Sequence, residues 1–422
     1  MTWKVATDSR TNWLRAETVK YFTVETARLF TILNDPDSWG NSAPRTRTTV
    51  ETNRQLGYAF ADETKVDIQF AEVNASISKV TLTAFNLHDR DELKEAMSYW
   101  DGVLAEVTKR TMSEPVIVYS APGKINLFFA VGPLRKDGYH EVASVYQAVN
   151  LRETVVVEPS SNWSVEVRGD LSRVHIDSVP TGEDNLVVKA AKALAKAVKI
   201  KNPIPVHFSI DKRVPVAGGM GGGSADAAAA IAAVNQLWGN KANHETLMQV
   251  CAGVGADVPF ALSGGLALGT GTGDQIEMLA QPGEYHWALV VDELGLSTPL
   301  VYGRVDELRS APGQTPEQQP EPKVSSNLLK ALKSGASAEE LAPLLHNDLQ
   351  AAAITLRPGL RFILSLVEEV KALTAIVSGS GPTVAFLGRN AEDAEAIASR
   401  LRTRGLRVIV AGSPANGAEP AA

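Results

Sequence analysis

The sequence predicts an α+β fold: a small unit over residues 1–112, a two-domain body over 114–282 and 283–411, and a disordered tail, 412–422. Three observations lead there. Segments that alternate apolar and polar residues, as half-buried strands do, are interleaved with segments whose apolar residues recur at helical spacing. At 422 residues the chain exceeds what one small core organises. Two glycine-rich turns, 215–226 and 378–381, punctuate the longer part, each after a strand-like stretch.

In the first unit, Leu14 to Phe22 alternates and reads as a strand, and Thr23 to Phe30 reads as a helix. Asp35-Pro36-Asp37-Ser38-Trp39-Gly40 is turn chemistry. Strands are expected over Thr46–Asn53, Lys65–Glu72 and Ser76–Ala84. A helix from about Asp89 to Arg110 closes the unit, its face built from Leu93, Met97, Trp100, Val103, Leu104 and Val107. That order suggests a curved sheet gripping one long helix. In the body, the apolar run Val116–Val131 is interrupted by Pro122-Gly123-Lys124, and Asp137-Gly138 is a hairpin turn. Val145–Val157 and Trp163–Val167 read as strands, Asn185–Ile200 as a helix, and Ile204–Ile210 as the strand entering the first glycine turn. Helices to Leu237 and over His244–Ala252 follow. Beyond Tyr285 come a strand, Trp287–Val291, and a Pro-, Gln- and Glu-rich exposed loop, Arg309–Lys323. Helices near Leu328, over Ala338–Leu345 and over Leu360–Ala372 precede the strand Ala375-Ile376-Val377. The strand Val384–Leu387, the helix Ala391–Arg402 and the strand Arg407–Ala411 end the body.

Bulk properties exclude several function classes. A formal net charge of −7 opposes nonspecific nucleic-acid binding, which needs a basic surface. The single cysteine, Cys251, permits no intramolecular disulfide and no Cys cluster for zinc. Met1-Thr2-Trp3-Lys4 carries no apolar signal region, and no run approaches a membrane span. A cytosolic protein is expected.

The chemistry concentrates in Pro215-Val216-Ala217-Gly218-Gly219-Met220-Gly221-Gly222-Gly223-Ser224-Ala225-Asp226. Its five glycines let the backbone take positive φ and approach a ligand closely. A helix starting at Ser224 or Ala225 adds unpaired N–H groups and the positive end of its dipole, so the stretch is built to hold a phosphate. No Gly-Lys-Ser/Thr follows, so it is not a Walker A loop, and it does not fit the dinucleotide fingerprint. Positive charge must then come from elsewhere. In Lys124-Ile125-Asn126-Leu127 the period of two puts Lys124 and Asn126 on one face. That face is either a site or an edge guarded by a lysine. Asp257, before Val258-Pro259, is either a helix N-cap or a functional carboxylate.

Taken together these segments resemble the GHMP kinase superfamily: Pro215–Ala225 its phosphate motif, Ser378-Gly379-Ser380-Gly381-Pro382-Thr383 its C-terminal glycine motif. Lys124-Ile125-Asn126-Leu127, Arg135-Lys136-Asp137-Gly138-Tyr139-His140 and Gly255–Phe260 are similar to the branch that uses ATP to phosphorylate the C2 hydroxyl of a cytidine diphosphate-linked methylerythritol in the non-mevalonate isoprenoid pathway. The resemblance covers about Val116 to Ala411 and departs at Met220, where leucine is commoner. It implies a ribosomal-protein-S5-like N-lobe and a ferredoxin-like C-lobe, ATP and Mg²⁺ as cofactors, and no nucleic-acid or membrane partner. It implies Asp257 as general base with Lys124 beside it. Pro215, Val216, Ala217, Gly218, Gly219, Met220, Gly221, Gly222, Gly223, Ser224 and Ala225 would bind the nucleotide, with Asn185 and Lys212 on the same side. Asn126, Tyr139, His140, Tyr146 and Tyr302 would bind the substrate; the metal ligands stay unassigned. Mevalonate- or homoserine-type kinases are the alternatives within the superfamily. The N-terminal unit, through Phe22-Thr23-Val24, Leu29-Phe30, Asp35, Trp39 and Tyr99-Trp100, resembles the helix-grip domains of the START-like superfamily, which implies an apolar ligand pocket or an appendage. A regulatory protein acting through that unit is the alternative from another class.

Overall fold

The computed structural model describes residues 3–421 except 8–10, 12, 23, 25, 35–45, 61–62, 75–76, 112–115, 161, 170–175, 281–282 and 311–314. The expected turn at 35–40 and the expected junction near 113 lie outside the described residues. The chain forms two compact units, one of residues 1–118 with the short segments 157–159 and 420–422, the other of residues 119–156 and 160–419. Among the described residues no helix is long and apolar enough to cross a membrane.

The first unit is a six-stranded antiparallel sheet of β1 (Lys4–Thr7), β2 (Leu14–Phe22), β3 (Thr46–Glu51), β4 (Gln55–Ala59), β5 (Lys65–Asn74) and β6 (Ile77–Leu87), in the order β1-β2-β6-β5-β4-β3. Helix α1 (Thr26–Leu33) and the long helix α2 (Arg90–Thr111) complete it. Asp89 starts α2 by accepting from the backbone N–H groups of Asp91 and Glu92. The α2 stripe of Trp100, Val103, Leu104 and Val107 shares one core with Leu29, Phe30 and Leu33 of α1 and with Ile68, Val80 and Leu82 of the sheet. The strand expected to reach Asn53 stops at Glu51, where Thr52-Asn53-Arg54 turns the chain back into β4. Periodicity missed β4 because Gly57 interrupts it, and a Cβ there would meet Thr48 Oγ1 at 2.6 Å.

The second unit holds two sheets. Its strands are β7 (Ile117–Leu134), β8 (His140–Pro159), β9 (Ser164–Gly169), β10 (Val206–Lys212), β11 (Leu266–Thr270), β12 (Gln275–Met278), β13 (Tyr285–Val290), β14 (His346–Asn347), β15 (Thr374–Val377), β16 (Val384–Gly388), β17 (Val408–Ser413) and β18 (Glu419–Pro420). The larger sheet runs β12-β11-β8-β10-β9, with β7 joined to β8, β14 and β18; the smaller runs β15-β16-β13-β17. Ile125, Leu127 and Val145 of the larger sheet pack in one cluster with Trp287 and Leu289 of the smaller. Helix α3 (Leu186–Ala197) is capped by Asn185, and α4 (Gly222–Leu237) begins at the glycine turn. Ala227 to Ala230 are fully buried, so the Ala-rich run is a helix whose small side chains permit close packing on every side. Helices α5 (His244–Val254), α6 (Val258–Ser263) and α7 (Thr298–Arg309) matter for the site below. The helix expected over Leu360–Ala372 is broken into Gly359–Ser365 and Val367–Val370.

The structure corrects the expectation of a disordered tail. Ala415 donates to the Ala148 carbonyl and accepts from the Gly265 N–H, and the Ala418 N–H donates to the Leu262 carbonyl. The Arg152 guanidinium donates to the Asn416 and Gly417 carbonyls, each at 2.7 Å, and to Ser120. Local composition reads as loop, but its backbone groups are satisfied by β8, by α6 and by Gly265, all distant in sequence. Arg152→Ala is expected to release this segment: a stability loss of about 1–3 kcal/mol in urea unfolding, with new proteolytic cleavage after residue 413.

Candidate active site

Strand β7 delivers Lys124 and Asn126 to one face, as the period of two requires. Lys124 is only 6% exposed, so the edge-guard alternative fails. Its ammonium donates to Asn126 Oδ1 at 2.7 Å and to the Gly219 carbonyl at 2.8 Å, and lies 3.8 Å from Asp257 Oδ2 and 5.9 Å over the Tyr146 ring. Burial pulls its pKa below the usual lysine value, and the Asp257 carboxylate opposes that pull. The Asn126 amide is held in turn, donating to Ser144 Oγ at 2.8 Å, whose hydroxyl donates to the Phe128 carbonyl.

Asp257 occupies the N-cap position of α6, yet its carboxylate makes no capping bond. The carboxylate instead faces Lys124 and is about a third exposed, at 31%. Position alone leaves a cap and a functional acid open; the side chain is not spent on the cap.

The glycine turn is braced from two sides. Gly219 and Gly221 adopt φ of 77° and 70°, where a side chain would be strained. A Cβ on Gly219 would also overlap the Ser378 carbonyl of the second glycine turn. Ser378 Oγ donates to the Gly219 carbonyl at 3.0 Å, and the Thr383 N–H to the Gly218 carbonyl. Gly221 caps α4 without a side chain, so the first N–H groups of the helix stay available for an anion.

These parts line one cavity of about 580 Å³. Lys124, Tyr146 and Asp257 form one wall, and Pro215, Ala217, Gly218, Gly219 and Gly221 to Ser224 another. Gly379 and Ser380 of the second turn also border it. Tyr139, His140, Tyr302 and Asp306 line it as well. The His140 ring lies 2.9 Å from Asp306 Oδ1 through Nε2 and stacks on Tyr302 at 5.1 Å between centroids. Tyr139 is 65% exposed, a flat aromatic face at the cavity mouth. Burial and the Asp257 carboxylate hold the Tyr302 hydroxyl above the usual phenol value. Burial, Asp257 and Tyr302 hold that of Tyr146 well above it.

Residues 185–265 match the GHMP kinases N terminal domain and residues 328–406 the GHMP kinases C terminal domain. The chain is 46% identical, over 74% of its length and 98% of the other's, to the 4-diphosphocytidyl-2-C-methyl-D-erythritol kinase of Clavibacter michiganensis subsp. michiganensis. It is 48% identical to the protein of that name from Leifsonia xyli subsp. xyli, over 71% and 96%. The chain belongs to the GHMP kinase family. A crystal structure of 4-(cytidine 5'-diphospho)-2C-methyl-D-erythritol kinase superposes with a TM-score of 0.56 at 29% identity, covering 71% of this chain and 100% of that one. The two-domain GHMP kinase fold and its mixed α/β content accord with the expectation from sequence.

Within this GHMP kinase two side chains expected on the nucleotide side are held by contacts inside the protein. Asn185 is spent on structure: its Oδ1 accepts from Val187 N–H and its Nδ2 donates to the Pro180 carbonyl. Lys212, 1% exposed, donates to Glu153 at 2.5 Å and Asp226 at 2.8 Å beneath the glycine turn. Neither side chain borders the cavity, nor do Asn126, Val216, Met220 and Ala225, of which Met220 and Ala225 are fully buried. Sequence reasoning missed Asp306, Ser144 and Glu153, which are joined to their partners only through the fold. The i, i+4 spacing of Tyr302 and Asp306 on α7 was the one signal available for Asp306. Lys212→Met strands two buried carboxyls and is expected to cost about 3–5 kcal/mol in urea unfolding; replacing all three ionisable groups together, with Glu153→Gln and Asp226→Asn, recovers part of that loss.

Proposed function

We propose that this chain transfers the γ-phosphoryl group of ATP to the C2 hydroxyl of 4-diphosphocytidyl-2-C-methyl-D-erythritol, giving the 2-phosphate and ADP, in the non-mevalonate isoprenoid pathway. The observation that carries the proposal is the Lys124–Asp257 pair, 3.8 Å apart, in the same cavity as the glycine turn. The relatives named above carry this activity in their names, at 46% and 48% identity.

The steps follow from the geometry. The free N–H groups at the start of α4 hold the transferring phosphates and neutralise their charge. Asp257 accepts the proton of the acceptor hydroxyl as its oxygen bonds phosphorus, and the bond from phosphorus to the ADP oxygen breaks. Lys124 pairs with Asp257 and stabilises charge on the equatorial phosphate oxygens. Asn126 fixes the direction of the Lys124 ammonium. Tyr139, His140 and Tyr302 form the aromatic end that takes the cytosine, with Tyr146 closer to the catalytic pair. Mg²⁺ belongs to the proposal as the partner of ATP, where it would neutralise phosphate charge. Among the described residues no three His, Cys, Asp or Glu side chains come together as a metal cage. An ion carried by ATP is held chiefly by the phosphates and needs no such cage.

Asp257→Asn is expected to keep the KM for ATP and lose at least about a hundredfold in kcat; near-normal turnover rejects the base assignment. Mevalonate and homoserine, assayed beside the cytidine substrate, are expected to give negligible turnover; preference for either points to another GHMP branch. Lys124 acts as the ammonium, and its folded pKa lies below 10.5. Activity is therefore expected to fall as pH rises through that lowered value. Asp257 raises the lysine pKa, so in Asp257→Asn the alkaline limb of the residual activity moves to lower pH.

A further inference from the structure

The N-terminal unit contains a second cavity, of about 310 Å³, which the kinase chemistry leaves unused. Phe60 at the end of β4, Thr64, and Glu92, Glu95, Ala96, Tyr99 and Trp100 of α2 line it. Three of these are aromatic, and their rings stand nearly perpendicular to one another. Tyr99 meets Trp100 at 81°, Phe60 meets Tyr99 at 81°, and Phe60 meets Trp100 at 90°, with centroids 5.2, 6.0 and 6.1 Å apart. Trp100 is anchored in the core at 1% exposure, whereas Phe60 and Tyr99 keep half-buried surfaces at the cavity.

The remaining lining decides the ligand class. The cavity carries two carboxylates, and no lysine, arginine or histidine among the described residues lines it. Glu92 shares one oxygen with the His88 backbone N–H, 2.7 Å away, and with His88 Nδ1 at 3.0 Å. Glu95 is exposed and lies one helical turn from Tyr99 and Glu92 on the same face. Aromatic faces are the negative pole of the ring quadrupole, and perpendicular rings present a face in more than one direction. A purely apolar ligand makes no use of the exposed Glu95 carboxylate or of the Glu92 oxygen that His88 leaves open, and an anion is repelled by both side chains. A small organic cation satisfies both sets of groups at once. The volume sits at the lower end of the range for small-molecule sites.

We propose that the cavity between β4 and α2 is a binding site for a small alkylated ammonium ion, held by Phe60, Tyr99 and Trp100 and by the charge of Glu92 and Glu95. This site is independent of the kinase assignment.

The test compares choline with 3,3-dimethylbutan-1-ol, its uncharged isostere, by calorimetric titration of the full chain. Choline is expected to bind at least about tenfold more tightly. Glu95→Gln, an exposed substitution with no fold cost, is expected to weaken choline several-fold, leave the isostere unchanged, and leave kinase turnover unaffected. Tyr99→Leu, with its melting temperature checked, is expected to weaken both, choline more. Equal affinities for the two probes show an apolar pocket and overturn the proposal, as does no detectable binding of choline at tens of millimolar. Indifference of choline binding to both variants overturns it too.

Discussion

The glycine turn depends on one buried cluster: the Lys212 ammonium between the carboxyls of Glu153 and Asp226, none more than 4% exposed in its side chain. Three elements meet there, β8 through Glu153, β10 through Lys212 and α4 through Asp226. Burial pushes the Glu153 carboxyl up to about 8 and raises that of Asp226 as well, each against the pull of Lys212. Burial would lower the lysine, but the two carboxyls outweigh it and hold it above its usual value. One ammonium shared between two carboxyls is how two acids and one base tolerate the interior. A Cβ on Gly222 would come within 3.0 Å of Glu153 Oε1 and 3.2 Å of Lys212 Nζ. Glycine is what lets the loop rest directly on the cluster, so the cluster sets the height at which α4 presents its N–H groups.

The catalytic face answers to a different constraint. Lys124 is buried and must be paired, yet it also lines the cavity. The structure splits these demands. Asn126 and the Gly219 carbonyl take two of its donors permanently, while Asp257, at 3.8 Å and a third exposed, is the partner left facing the cavity. An acid at the head of a helix would ordinarily serve the helix. Here α6 has Pro259 in its first turn, where one backbone donor is missing anyway, so the carboxylate is spared.

Much of the fold and the centre of the site could be read from sequence because they are written locally. Glycines followed by an Ala-rich run encode a turn and a tightly packed helix. The period of two in Lys124-Ile125-Asn126-Leu127 encodes which residues share a face. Residues whose role depends on distant partners were misread or missed. Lys212 next to the loop suggested a nucleotide contact, because Glu153, far back on β8, is invisible from there. Asn185 carried no sign that both ends of its amide were already committed. The segment after residue 413 looked featureless because its order comes from Arg152 and the edge carbonyls of Ala148 and Leu262.

The interlock between the two glycine turns has a consequence for biosynthesis. The phosphate cradle lies at 218–224, but Ser378 and Thr383 hold its backbone in place. Ribosomes deliver these two parts in sequence, more than half the body apart. A nascent chain that has released residue 224 already owns every N–H group of the turn and the Lys124 bond to Gly219, yet lacks the bonds from Ser378 and Thr383. The bracing of the first glycine turn is complete only when the segment that holds Ser378 and Thr383 has emerged.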